Sequence, residues 1–268
     1  MDDDPRKLSM AAREDSSGPL VLTRAGTGVF HGHTRHRHAR GQLIAVARGV
    51  LAVETEAGAW VVPARHAVWL PPHHVHSGRT HGPVTGWSLY VAKPACAGLR
   101  AQPCTLAITP LLWEAAIRSA EWGVEPLDEF QARLALVIVD EIRRLEVQPL
   151  GLPLPQDARL QRIARALLRD PADRRNVEEW AAWAGLSTRT LTRRFVLETS
   201  LTFTEWVQRA RLMRALEMLA GGAAVTTVAI DAGYRSVSAF IALFKRNFGV
   251  TPSTYFERRV LSDPARDG

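Results

Sequence analysis

One pattern occurs twice in the C-terminal third of the chain. Val177–Glu178–Glu179–Trp180–Ala181–Ala182–Trp183–Ala184–Gly185–Leu186 recurs as Val225–Thr226–Thr227–Val228–Ala229–Ile230–Asp231–Ala232–Gly233–Tyr234. Each copy is followed by a helical apolar pair, Leu191 and Phe195 in the first, Phe240 and Phe244 in the second. The offset is 48 residues at the glycines and 49 at Phe195 and Phe244, so the second turn has gained one residue. The register then holds, with Leu201–Thr202 answered by Val250–Thr251. The spacing predicts helix-turn-helix units over 177–196 and 225–246, and a duplicated unit of this kind implies a reader of two adjacent stretches of double-stranded DNA.

The local physics agrees with that reading. Gly185 and Gly233 sit where the first helix of each unit must stop, and glycine enters the left-handed conformation there without a Cβ penalty. Ser187 and Ser236 follow at positions able to cap the next helix. Alanines at 181, 184, 229 and 232 let two helices cross closely. From Phe203 through Trp206, Arg211, Leu212, Leu216 and Leu219 the chain reads as one amphipathic helix ending at Gly221–Gly222. Roughly 18 residues make a rod of about 27 Å. That suits two recognition helices spaced near the roughly 34 Å of one DNA turn.

Charge separates this reading from an accidental repeat in a plain helical bundle. Residues 158–260 carry 17 Lys+Arg against 9 Asp+Glu, a net of +8, whereas residues 1–157 carry 16 of each. The positive excess therefore coincides with the repeat, where phosphate neutralisation would use it.

Ala184–Gly185–Leu186–Ser187 with Arg189–Thr190–Leu191–Thr192–Arg193–Arg194–Phe195 resembles the AraC/XylS family of bacterial transcription regulators. So do Ala232–Gly233–Tyr234, Ser238–Ala239–Phe240, Phe244–Lys245–Arg246, Phe248–Gly249–Val250–Thr251–Pro252 and Tyr255. The resemblance covers about residues 157–258. It implies base contacts from Arg189, Thr192 and Arg193 in the first recognition helix and from Val237, Ser238, Ile241 and Ala242 in the second. Two departures stand out. Ser200 occupies a position where the family often has glycine, and Val237, Ile241 and Ala242 bring no hydrogen-bonding side chain to a base edge. Apolar side chains still touch a thymine methyl. The second helix is accordingly expected to position the protein, with Lys245 and Arg246 near phosphate. Arg189 and Arg193 are expected to read bases, guanine above all, and Arg194 to lie on the phosphate side.

The N-terminal half has a different signature. All nine histidines fall between residues 31 and 81. Short β-like runs, Gln42–Ala47, Val50–Glu54, Trp60–Pro63, Ala67–Leu70 and Thr85–Ala92, are separated by Gly41, Gly49, Gly58, Pro71–Pro72 and Gly82–Pro83. This predicts a small β-barrel or jelly roll. His36 and His38 are two apart and share one face of a strand. His36–x–His38, Gln42, Gly49, Pro63 and His76 resemble the two cupin motifs, with glutamine where metal-binding cupins have glutamate and His66 where the second motif has glycine. The resemblance implies a sensor domain whose His36, His38, Gln42 and His76 face either a divalent metal (Zn²⁺, Ni²⁺ or Fe²⁺) or an organic effector. Trp60, Trp69, Trp87 and Tyr90 are expected in the core rather than as a ligand platform.

These readings give an α+β chain, a cupin-like barrel followed by an all-α region with two helix-turn-helix units. The expected boundaries are a disordered tail over 1–18, the sensor over 19–95, a helical connector over 96–148, a stiff proline-bearing linker over 149–156 and the DNA-binding region over 157–260. In the connector, Pro110–Gly123 and Leu127–Glu146 read as helices. The stripe Phe130, Leu134, Val137, Ile138, Ile142 and Leu145 suits either core packing or a dimer interface. Cys96 and Cys104 give no disulfide framework. The acidic start lacks an apolar export segment and no run approaches a bilayer span, so a cytoplasmic setting without membrane partners is expected. A small-molecule effector is the implied ligand, and RNA polymerase and a second copy of the chain are further candidate partners. No catalytic residues are assigned. The rival reading is a metal-dependent cupin enzyme with accessory nucleic-acid binding, which the missing motif glutamate disfavours.

Overall fold

The computed structural model describes residues 18–28, 35–123 and 125–257. The tail expected over 1–18 lies outside the described residues except for Gly18. The chain divides into two compact units. One runs to Gly151 without Ala57–Ala59, and the other comprises those three residues with Leu152 onward.

The first unit is built on an antiparallel sheet. Its strands are β1 (Val21–Gly28), β2 (Gly41–Thr55), β3 (Gly58–Pro63), β4 (His66–Leu70), β5 (His76–Val91), β6 (Cys104–Ala107) and β7 (Val147–Gln148). The order is β1-β5-β2-β4-β6-β7, with β3 also on β2. Two of the expected strands, Gln42–Ala47 and Val50–Glu54, are one strand. Gly49, at φ 83°, marks a bulge rather than a reversal, and the register against β5 shifts on either side of Arg48. A Cβ at Gly49 would lie 2.5 Å from Pro83 O. Gly82–Pro83, expected to break the chain, instead lie inside β5 opposite this irregularity. β1 was not anticipated, because only Val21–Leu22–Thr23 are buried and its outer half shows no alternation. The segment 96–148 is likewise not purely helical, since β6 pairs with β4 and β7 with β6.

Alternation on β2 and β5 sorts side chains onto two faces. Leu43, Ala45, Trp69, Trp87, Leu89 and Val91 pack in one core with helices α1 (Pro110–Ser119) and α2 (Glu129–Arg144). Val46, Leu51, Val53, Trp60, Val62, Val68 and Leu70 make a second core, against which Ile44 packs. Thr109 caps α1, and Asp128 with Gln131 forms a reciprocal capping box on α2. The apolar stripe of α2 divides. Ile138, Ile142 and Leu145 are buried in the first core, whereas Phe130 and Val137 face outward.

The second unit is helical, with α3 (Ala158–Arg169), α4 (Val177–Trp183), α5 (Thr188–Thr199), α6 (Phe203–Ala220), α7 (Val225–Asp231), α8 (Val237–Phe248) and α9 (Pro252–Glu257). The repeat is reproduced in the elements. α4 and α7 each have 7 residues, α5 and α8 each have 12. Gly185 and Gly233 are left-handed at φ 68° and 80°, and in both turns the next N–H reaches back five residues, Leu186 to Ala181 O and Tyr234 to Ala229 O. Ser187 and Ser236 cap α5 and α8 by accepting from Thr190 N and Ala239 N. The four alanines of the repeat are buried. α6 spans 18 residues and is fixed at its start by the Thr202–Glu205 capping box. Phe195 packs edge-on against Phe203 and Trp206 beside the first helix-turn-helix, while Tyr234, Phe240, Phe244, Phe248 and Tyr255 form a stack of rings around the second. No helix among the described residues is long and apolar enough to cross a membrane.

Candidate functional site

α5 buries Leu191 and Phe195 and turns Arg189, Thr192 and Arg193 to solvent. Arg189 and Arg193 lie one turn apart on the same face, and neither forms an ion pair with a described residue. Thr192 is exposed but its hydroxyl donates back to Thr188 O and Arg189 O. That leaves its oxygen lone pairs available to an outside donor. Arg194 is placed differently from expectation. Its guanidinium bridges Asp157 and Glu198, the latter at 2.8 Å, and Glu198 also accepts from Gln156 N and Asp157 N. Arg194 thus ties α5 to the start of α3, so its charge is already engaged by two carboxylates. Other arginines behind the positive excess have inside roles too. Arg175 stacks 3.7 Å over Trp180, Arg162 stacks 4.3 Å over Trp183, and Arg211 donates to Pro171 O and Asp173 O. Net charge alone overstates the number of free phosphate binders.

On α8, Ser238, Ala242, Lys245 and Arg246 are exposed, and Val237 and Ile241 are half-buried. The exposed face of α8 is therefore short and weakly polar at its start and cationic at its end. The residue gained in the second turn brings Arg235, exposed between Tyr234 and the cap Ser236. It was not singled out from the sequence, although the one-residue change of offset pointed at it.

In the sheet unit, His36, His38 and His76 converge. One ring nitrogen from each lies within 4.8 Å of the others, and ring centroids are 4.3–6.0 Å apart. The backbone produces this. His36 and His76 form an antiparallel bridge, each N–H donating to the other's carbonyl at 3.0 and 2.9 Å. His38 lies two residues on, and its carbonyl accepts from His73 N at 2.8 Å, which ties the Pro71–Val75 turn to it. His38 and His76 are buried and His36 is half-exposed. His38 Nδ1 is 2.7 Å from Arg40 O and its Nε2 is 3.0 Å from Gln42 Oε1. Gln42 donates to Ser88 Oγ and Tyr90 OH. His76 Nδ1 is 2.9 Å from His74 O, and its Nε2 is buried with no hydrogen-bond partner among the described residues. Burial lowers the His38 pKa and brings that of His76 down to about 4, so both rings are neutral near pH 7. Trp60, Trp69 and Trp87 are core residues, but Tyr90 is half-buried beside His38, with ring centroids 5.4 Å apart. Tyr90 and Ser88 belong to this cluster. Their pairing opposite Gln42 and Ile44 was the signal, legible only once the β2–β5 register is known. Cys96 and Cys104 are outside it, and burial raises both thiols, Cys104 to about 11.

A ligand-binding sheet domain joined to a doubled DNA-reading helical region defines a transcription regulator of the one-chain sensor type. Residues 21–101 match an AraC-like ligand binding domain, and residues 180–258 match a helix-turn-helix domain. The chain is 32% identical over 233 residues to the HTH-type transcriptional regulator NimR of Escherichia coli K12, covering 85% of this chain and 84% of that one. It is 36% identical over 103 residues to the HTH-type transcriptional regulator RipA of Corynebacterium glutamicum, 38% of this chain and 31% of that one. Among solved structures, ToxT of Vibrio cholerae O395 overlaps 91% of this chain and 99% of its own with a TM-score of 0.40 at 11% identity, too loose for any inference about ligand. The chain belongs to the AraC family of DNA-binding transcription regulators with an N-terminal ligand-binding domain.

Proposed function

We propose that this regulator senses its effector at the His36–His38–His76 cluster and reads its operator chiefly through α5. Arg189 and Arg193 contact base edges, with Thr192 between them as a lesser contact. α8 docks the second unit, with Val237, Ser238, Ile241 and Ala242 close to the groove and Lys245, Arg246 and Arg235 at phosphate. The carrying observation is the pair Arg189 and Arg193, exposed one turn apart on a helix whose third arginine, Arg194, is tied to Asp157 and Glu198. Fork-shaped guanidinium groups presented this way match the O6/N7 edge of guanine. The cluster has a binding role and no turnover, and the protein acts on promoter DNA in the cytoplasm, where RNA polymerase and a second copy of the chain are its candidate protein partners.

The test is footprinting with the full chain on DNA upstream of its own gene and its neighbours. Protection is expected over two adjacent segments about 10–10.5 base pairs apart on one face of the duplex. Affinity should fall roughly a thousandfold between about 50 and 200 mM salt if about six phosphates are neutralised. Protection of a single segment would refute the two-site docking.

A further inference from the structure

A second concave surface lies on the other side of the sheet from the histidine cluster. On β2, Leu43 belongs to the first core, so its neighbour Gln42, which meets His38, faces the opposite way. Cys96 and Leu99 pack against that first core. Beside them is an open cleft of about 630 Å³, lined by Pro71 and Pro72 and by residues from the stretch Lys93 to Ala101. The volume falls within the roughly 300–1,000 Å³ of small-molecule sites.

The lining is fixed by contacts beneath it. Gly41 permits the closest of them, since a Cβ there would lie 2.3 Å from Trp69 Cη2 and 2.8 Å from Cys96 Sγ. The indole and the thiol therefore press directly on β2. Trp69 Nε1 donates to Arg100 O at 2.8 Å. The Arg100 guanidinium in turn donates to Ile142 O at 3.3 Å and to Leu145 O, which pins it to the C-terminal end of α2. Pro71, Pro72 and Pro94 have a φ fixed by their rings. A surface ordered in this way has little freedom left to lose when it binds.

Its chemistry selects a ligand class. Of the nine lining residues, Lys93 and Arg100 are basic, none is acidic, and the other seven are Pro, Ala, Leu or Cys. Residues 1–157 carry 16 basic and 16 acidic side chains, so this local imbalance does not follow from the net charge of the region. Lys93 is exposed and forms no ion pair with a described residue. Three of the five Arg100 N–H groups remain beyond its two carbonyl contacts. Cys96 Sγ lies 3.6 and 3.5 Å from Val91 O and Ala92 O, and burial raises its pKa. The thiol thus adds apolar surface and is a poor nucleophile. A cation would be repelled by this lining, and a neutral molecule would gain nothing from its charges.

We propose that this cleft is a second ligand site, separate from the histidine cluster, for a small organic anion that carries a carboxylate or sulfonate on an apolar body. The acid group meets Lys93 and Arg100, and the apolar body lies against the prolines and Leu99. The site goes beyond the effector reading of the histidines and does not depend on it.

The experiment titrates full-length protein with anilinonaphthalene sulfonate, an aromatic sulfonate that fluoresces when it leaves water for an apolar surface. One saturable site per chain is expected. Lys93→Glu, at an exposed position, should weaken binding at least tenfold, because an attracting charge becomes a repelling one. Ala101→Trp, also at an exposed position, should weaken it at least tenfold by filling the cleft from its rim. His76→Ala should leave the affinity unchanged. Phenylbutanoate should displace the dye at least tenfold more effectively than phenylbutanol. Far-ultraviolet circular dichroism confirms the fold of each variant. Absence of saturable binding overturns the proposal. Unchanged affinity in Lys93→Glu or in Ala101→Trp places the dye elsewhere and overturns it, as does loss of binding in His76→Ala. Equal displacement by the acid and the alcohol overturns the anionic class.

Discussion

Gly185 and Gly233 end equivalent helices with φ of 68° and 80°, yet their surroundings have nothing in common. A Cβ would meet nothing within 4 Å at Gly185, whereas at Gly233 it would lie 2.8 Å from Ala172 Cα, 2.9 Å from Pro171 O and 3.0 Å from Arg211 Nε. The same division runs through the two helix-turn-helix units, each taken whole. The first has an Asn176–Glu179 capping box, and the second starts at Ala224 with no side-chain cap. The first presents Arg189 and Arg193 to solvent, and the second presents Ser238 and Ala242 at the matching positions. One backbone plan has thus been given two tasks. The first unit is capped locally and free to carry a reading surface, while the second is held by close packing and keeps its cations for the periphery.

The largest expected contrast is in stability. At Gly233, alanine would combine the left-handed penalty of about 1–2 kcal/mol with overpacking of about 1–3 kcal/mol. At Gly185 it would meet only the former. Denaturant unfolding of the full chain should therefore show Gly233→Ala losing about 1–3 kcal/mol more stability than Gly185→Ala. Equal losses would mean that the second turn relaxes away from Pro171 and Ala172, and the contrast in packing would not hold.

Next comes specificity. Arg193→Ala should cost about 1–3 kcal/mol on the preferred base and relax preference at that position. Ser238→Ala, at the position equivalent to Arg189, should change site preference much less. Competition binding against single-base variants of the operator measures both. An unchanged preference ratio in Arg193→Ala would remove it from the readers and make the two recognition helices alike.

Smaller effects are expected from the cations of the second unit. Arg235→Ala and Arg246→Ala should each reduce the slope of log affinity against log salt by about 1 and weaken all sequences alike. A change in base preference would place either residue at a base edge instead.

These contrasts show where the sequence was informative. The helix-turn-helix units, their glycine stops and their serine caps were legible because each depends on local backbone chemistry that repeats along the chain. The fate of Arg194 was not, since Asp157 lies 37 residues away and meets it only through packing. In the sheet unit, the period of two put His36 and His38 on one face, but Gly49 and Gly82–Pro83 were read as turns. A bulge and a turn use the same residues and differ only in what the partner strand does. The roles of Ser88 and Tyr90 beside Gln42 depend on that register and were out of reach for the same reason.

The last and smallest contrast lies at the end of each recognition helix. Ser200 and Gly249 are both left-handed C-caps, at φ 60° and 76°, so the first unit places a side chain where the second has none. Serine in this conformation is strained by about 1 kcal/mol, while glycine gives back part of that through the greater freedom of the unfolded chain, about 0.4–1 kcal/mol. Ser200 is exposed, and its N–H donates to Val196 O, a bond that glycine keeps. Ser200→Gly should therefore stabilise the full chain by up to about 0.6 kcal/mol, seen as a small rise in unfolding midpoint, with operator affinity unchanged. A destabilised Ser200→Gly would show that the hydroxyl makes a contact worth more than the backbone strain, and the two helix ends would then differ in function as well as in residue type.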